Sequence, residues 1–163
     1  MSTSGGGGLW APARSGRSRI RAEELARRQE ALSKAPLFAD LSKRQLRSIA
    51  EVTAIPSFEA GTTIVKEGSV ESVFFVILEG KAKVTLGNKT LGRLGPGDYF
   101  GEISLLDPGP RTASVVAEER TICLSLAGGD FRDILAKEPA LSMKIMRELA
   151  RRVRNSHTSM APA

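Results

Sequence analysis

The run Val73-Phe74-Phe75-Val76-Ile77-Leu78-Glu79-Gly80-Lys81-Ala82-Lys83-Val84 shows the period on which the middle of the chain is built. It reads as two short β runs around a Glu79-Gly80 turn. The first is aromatic and β-branched, and the second alternates lysine with apolar residues. The same texture recurs on both sides, at Thr53–Phe58, Thr62–Lys66, Lys89–Leu94, Ala113–Ala117 and Thr121–Leu126. Glycine, proline, glutamate and asparagine clusters separate the runs, and Gly87-Asn88 suits a two-residue hairpin. Seven or eight short strands at nearly even spacing predict a sandwich or jelly roll.

Helical period flanks this centre. Leu25, Ala26, Gln29 and Leu32 form a stripe over 20–33, and Asp40 or Ser42 can cap a second helix with Leu46, Ile49 and Ala50 inside. After Leu126, Asp130 can cap Phe131–Lys137, and Pro139 opens a last helix striped by Leu141, Ile145, Met146, Leu149 and Val153. That stripe either covers the barrel or forms a seam with a second copy or an effector. The fold class is therefore mainly β with flanking helices: a double-stranded β-helix (jelly roll) with N-terminal helices and a C-terminal helix pair. The expected organisation is a disordered basic tail over 1–19, N-terminal helices over 20–52, the jelly roll over 53–127, C-terminal helices over 128–157 and a flexible tail over 158–163. Trp10 stands alone in the first tail.

Composition narrows the function. The chain has 163 residues, 41% apolar and 26% charged, with a formal charge of +6. Seven Lys/Arg against three Glu in 1–34, and six against two in 137–163, give +4 at each end; the middle, with eleven against thirteen acids, is −2. The centre is not a basic platform, so non-specific nucleic-acid binding falls to the termini. No apolar run approaches the roughly 20 residues of a membrane helix, and no secretory h-region opens the chain. The lone Cys123 excludes an internal disulfide framework and is consistent with a reducing cytoplasm.

Chemistry concentrates in Tyr99-Phe100-Gly101-Glu102-Ile103-Ser104-Leu105-Leu106-Asp107-Pro108-Gly109-Pro110-Arg111-Thr112-Ala113-Ser114. Gly101 permits an unusual φ or close backbone approach. Glu102–Leu106 suits one or two helical turns, whose first N–H groups favour an anion. Asp107-Pro108-Gly109-Pro110 then breaks the helix and returns Arg111 towards the same anion, where its guanidinium offers a planar fork. Glu102 is suited to a hydroxyl such as a ribose 2′-OH. A phosphate close to a sugar hydroxyl is the implied ligand. The alternative, an ordinary buried Glu102–Arg111 ion pair, is weakened because desolvation offsets its attraction.

These residues make the chain resemble the cyclic-nucleotide-binding domain family, over about 35–157. Phe58–Gly68 looks like the family's opening strands, Val73–Val84 its central hairpin, and Gly95-Pro96-Gly97-Asp98-Tyr99-Phe100-Gly101-Glu102 with Pro110-Arg111-Thr112-Ala113 its phosphate-binding cassette. The resemblance implies that Glu102 and the Gly101 backbone hold the ribose 2′-OH and that Arg111 takes the exocyclic phosphate. Backbone N–H groups near Ser104 and at Thr112 would complete the phosphate shell, and Ile103 and Ala113 are implied as ligand-binding residues beside them. It further implies sugar or base contacts from Val84 and Leu91 and, through a last helix like that of the bacterial activators, an adenine contact from Ser156. Thr112 leaves cGMP open, whereas the last helix favours cAMP.

The expected function is a cAMP-favouring regulatory module that signals through its last helix, hinged near Gly128-Gly129, without a cofactor, metal or catalysis. A homodimer or an effector protein would meet that helix. Only His157–Ala163 follow it, too little for a recognition helix, so sequence-specific DNA reading is not expected. The competing readings are a ligand-independent jelly-roll interaction module and the sensor fragment of a larger transcription regulator or channel. A metal enzyme of the cupin type is excluded by the single histidine, His157.

Overall fold

The computed structural model describes residues 20–160; the expected tail over 1–19 with Trp10, and 161–163, lie outside the described residues. Elements follow as α1 (Ala22–Leu32), a 3-10 turn (Pro36–Phe38), α2 (Lys43–Ala50), β1 (Ser57–Phe58), β2 (Thr63–Val65), β3 (Val73–Glu79), β4 (Ala82–Leu86) and β5 (Lys89–Leu94). Then come β6 (Tyr99–Phe100), a second 3-10 turn (Ile103–Leu105), β7 (Ser114–Ala117), β8 (Thr121–Ala127), α3 (Gly128–Lys137) and α4 (Pro139–Met160). Two antiparallel sheets, ordered β1-β8-β3-β6 and β2-β7-β4-β5, face one another as the expected jelly roll.

The continuous apolar run of β3 has a simple cause: both faces of that strand are covered. Val73, Phe75 and Ile77 point between the sheets, beside Phe58, Ile64, Val115, Ala117 and Cys123. Phe74 and Val76 point the other way, into a second core shared with Phe38, Leu105, Leu126, Phe131, Leu141 and Ile145. Phe38 meets Phe74 and Phe131 edge-on, each at 5.6 Å between ring centres. The helices are therefore fastened to one outer face of the roll, beneath the turn Ile103–Leu105. Burial of aromatic and aliphatic side chains of this size contributes about 1.5–3 kcal/mol each.

Ser42, not Asp40, caps α2; its side chain accepts the Gln45 N–H while Gln45 receives the Ser42 N–H in return, a reciprocal capping box. Asp130 caps nothing. The helix begins three residues earlier, with Ala127 at its cap and the Gly128 N–H donated to the Ser72 carbonyl at 2.8 Å. Gly128-Gly129, where the hinge is expected, consequently lies in the first turn of α3. The run Thr53–Phe58 contracts to β1 plus an Ala54–Ser125 bridge, and Tyr99-Phe100, not expected as a strand, pairs with Val76 and Phe75 as β6. In α1, Ala31 and not Ala26 is buried alongside Leu25 and Leu32.

The last helix divides its apolar residues between two faces. Leu141 and Ile145 are buried, and Leu149 packs against the same core. Met143, Met146 and Val153 are exposed. Glu148 and Arg152 share the inward face, four residues apart. Among the described residues, no helix is long and apolar enough to cross a membrane.

Candidate functional site

A cavity of about 580 Å³ opens between the second 3-10 turn and the inner strands of the β2-β7-β4-β5 sheet. Gly101, Glu102, Ile103, Ser104, Arg111, Thr112 and Ala113 all line it, together with Val84. Asp107, Gly109 and Pro110 of the loop line it too, as do Val65, Leu94, Tyr99, Phe100 and Val115, which the sequence does not single out as contacts. Val65, Leu94, Phe100 and Val115 turn in between the sheets and Tyr99 packs on the helix side, placements that only sheet pairing decides. Its size is in the range of small-molecule sites.

Gly101 makes the turn possible. Its φ is +85°, and a Cβ there would lie 2.6 Å from both the Val73 carbonyl oxygen and Arg111 Nη1. The Ser104 hydroxyl donates to the Gly101 carbonyl at 2.6 Å, and the Ser104 N–H donates to the same oxygen at 3.2 Å. The Ser104 N–H is thus spent inside the turn, because a 3-10 turn closes its bonds one residue sooner than an α-helix. On the return arm, Arg111 N–H donates to the Ser69 carbonyl at 2.9 Å and Gly68 N–H to the Arg111 carbonyl at 2.8 Å. This pairing fixes the arginine's backbone beside the loop 68–70.

The arginine side chain is half-buried. Its Nη2 donates to the Val73 carbonyl at 2.9 Å, while its buried Nε has no hydrogen-bond partner among the described residues. Burial pushes its ionisation below the usual arginine range, and the Glu71 carboxylate opposes that shift.

No Glu102–Arg111 pair forms. The Glu102 carboxylate, 12% exposed, instead lies 3.2 Å from Arg152 Nη2 through Oε1, and its buried Oε2 has no hydrogen-bond partner among the described residues. The Arg152 contact is ionic without the angle of a hydrogen bond. Arg152 Nε in turn lies 3.8 Å from Glu148, whose other oxygen accepts from Arg151 Nη1 at 2.6 Å, and Arg151 reaches Asp40 at 3.2 Å. Tyr99 beside this group has its hydroxyl pushed above its usual range by burial and by the Glu102 charge, with Arg152 acting against both.

Arg152 was missed as a site residue, although a signal existed. Leu141, Ile145, Glu148, Leu149 and Arg152 recur at helical spacing, so the ion pair sits on the apolar stripe, where a charge needs a partner. Two expected contacts lie outside this cavity wall. Leu91 is 53% exposed on β5 and is not among the cavity residues, because a bulge opposite Val84 and Thr85 makes it the extra residue of its ladder. Leu94 lines the wall instead. Ser156 is exposed on α4 and is likewise absent from the cavity wall.

The family described as "Cyclic nucleotide-binding domain" matches residues 55–138, which include both sheets and the whole cassette. The chain belongs to this family. Among its relatives, a cGMP-dependent protein kinase of Toxoplasma gondii is 36% identical over 107 residues, 66% of this chain and 11% of that protein. A CRP-like cAMP-activated global transcriptional regulator of Mycobacterium tuberculosis is 30% identical over 139 residues, 81% of this chain and 61% of that protein. The crystal structure of the N-terminal domain of a transcriptional regulator from Streptomyces coelicolor superimposes with a TM-score of 0.74 at 32% identity, covering 81% of this chain and 96% of that one. The cyclic nucleotide-binding domain is a regulatory module. The chain spans about a tenth of the kinase and some three-fifths of the regulator.

Proposed function

We propose that the chain is a cyclic-nucleotide sensor that favours cAMP over cGMP and signals through α4. The observation that carries the reading is a matched pair of unsatisfied groups: Glu102 Oε2 and Arg111 Nε, both buried and both on residues of one cavity wall. A buried polar atom without a partner costs about 1–3 kcal/mol, so a ligand that supplies a hydroxyl to one and an anion to the other is bound strongly. In this reading Glu102 and the Gly101 backbone take the ribose 2′-OH and Arg111 takes the phosphate. Ile103, Ser104, Thr112 and Ala113 shape the phosphate end, and Val84 packs on sugar or base.

The cAMP preference is supported by the cAMP-activated regulator, whose match reaches 81% of this chain. Signalling through α4 is supported by the Arg152–Glu102 contact, which ties the helix to the sugar-binding carboxylate. The exposed Met143, Met146 and Val153 would meet a second copy or an effector protein. The module acts without catalysis, in the cytoplasm.

Calorimetric titration of the chain with cAMP, cGMP and AMP tests the reading. The expected order is cAMP, then cGMP, with AMP far weaker. Equal heats for cAMP and AMP would refute the cyclic-phosphate site, and no heat from any of the three would leave a ligand-independent interaction module.

A further inference from the structure

We infer that Ser72, together with Arg132, is the positioning hub through which the cassette is mechanically joined to α3. The inference rests on the nucleotide reading for its ligand arm, and on bonds present in the protein itself for the rest. Ser72 immediately precedes β3 and uses its carbonyl and its hydroxyl on elements distant in sequence. Its carbonyl accepts the Gly128 N–H at 2.8 Å, and its hydroxyl donates to the Ser104 carbonyl at 2.5 Å. The same hydroxyl accepts from Arg132 Nη1 at 3.1 Å, and that nitrogen also donates to the Leu105 carbonyl at 2.8 Å. Two carbonyls at the end of a three-residue turn would otherwise lack donors, and both are captured here, one by Ser72 and one by α3.

The next peptide unit reaches the phosphate end. The Val73 carbonyl accepts Arg111 Nη2 at 2.9 Å, and the Ser104 hydroxyl oxygen, whose proton goes to the Gly101 carbonyl, lies 3.3 Å from it. Glu71, on the other side of Ser72, is the carboxylate that acts on the Arg111 charge. Residues 71–73 therefore hold the arginine, the turn and the start of α3 at once. They are a stiff link, because Val73 is paired with Ala127 and buried between the sheets. Ala127 is followed directly by Gly128. A Cβ at Gly128 would collide with the Ser72 hydroxyl and would come within 2.7 Å of Arg132 Nη1, so a bare α-carbon is what lets β8 pass into α3 against Ser72.

The chemical consequence is a route from ligand to helix. A phosphate drawn to Arg111 competes for the guanidinium now shared with the Val73 carbonyl. Any shift of that bond or of the turn is delivered at Ser72 to Gly128 and Arg132. Arg132 thus positions α3 by way of the cassette backbone, without touching the nucleotide.

The test is hydrogen exchange on the full chain for wild type, Ser72→Ala and Arg132→Gln, without ligand and with saturating cAMP, alongside cAMP titrations. Without ligand, each variant is expected to speed exchange about tenfold in both 103–107 and 128–132, with β4 and β5 unchanged. Exchange in 128–132 equal to wild type in both variants would overturn the hub. With ligand, wild type is expected to gain protection over 128–137, whereas both variants bind cAMP within about fivefold of wild type and lose that gain. A gain retained in both variants would overturn the route. If wild type binds no cyclic nucleotide, the ligand reading fails, and the ligand-free exchange still decides the hub.

Discussion

Arg152 Nη2 and Glu102 Oε1 stand 3.2 Å apart, so the last helix and the cassette share one charge pair. Glu148 holds the other side of the same guanidinium. Arg152→Gln leaves two largely buried carboxylates with less compensation, and a loss of about 1–3 kcal/mol is expected in urea unfolding. An unchanged midpoint would mean that the pair is screened and α4 is held by Leu141 and Ile145 alone.

Glu102→Gln removes the charge that would receive a sugar hydroxyl. The expected loss is about 1.5–3 kcal/mol in cAMP binding, the range for hydrogen bonds to charged groups. The diagnostic is 2′-deoxy-cAMP. Wild type should discriminate against it strongly, and the variant should hardly distinguish the two nucleotides. Undiminished discrimination in Glu102→Gln would move the hydroxyl contact elsewhere.

Arg111→Lys keeps a cation but loses the planar fork and the bond to the Val73 carbonyl. Both Arg111→Lys and Arg111→Ala should therefore bind cAMP more weakly, by about 2–5 kcal/mol for the alanine, with lysine recovering only part of it. Titration of the two variants beside wild type checks this, and full recovery by lysine would argue for a simple point charge.

Gly101→Ala meets two obstacles at once, a φ of +85° and two atoms 2.6 Å from the new Cβ. A destabilisation of about 1–3 kcal/mol is expected from the backbone alone, with lost affinity because Arg111 must move. Thermal unfolding and a cAMP titration on the same sample separate the two effects. Gly61→Ala, where nothing lies near the added atom although φ is also positive, provides the strain-only control.

Cys123 lies between the sheets, and burial pushes its thiol up from 9.0 to about 12. The unfolded chain ionises this thiol first, so between about pH 9 and 12 it binds fewer protons than the native state. The stability from the protonated thiol is complete below pH 9 and declines as pH rises towards 12. Urea midpoints from pH 8 to 11 should fall more steeply for wild type than for Cys123→Ala; parallel curves would place the thiol in water. Native protein at pH 8 should also react slowly with a thiol reagent.

Much of the site was legible because its determinants are local. A glycine before a carboxylate, a proline-rich break and an arginine on the return arm impose a turn wherever they occur, and the period of the flanking runs announces strands. Less legible was the use of each donor. The Ser104 N–H bonds within a 3-10 turn, and the Val73 carbonyl that receives Arg111 carries no side-chain signature. Leu91 lies off the cavity wall because a bulge shifts a ladder without altering the apolar pattern that suggests it.

Sequence alone determined the jelly roll and the turn that carries Gly101, Glu102 and Arg111, since backbone conformation and charge are properties of a few adjacent residues. Tertiary structure decided what each charge does. Glu102 meets Arg152 and not Arg111, and Ser72 meets Gly128 and Arg132, because the packing of α3 and α4 on the outer face of β3 sets which distant groups share a low-dielectric space. Local propensity carries no record of that choice.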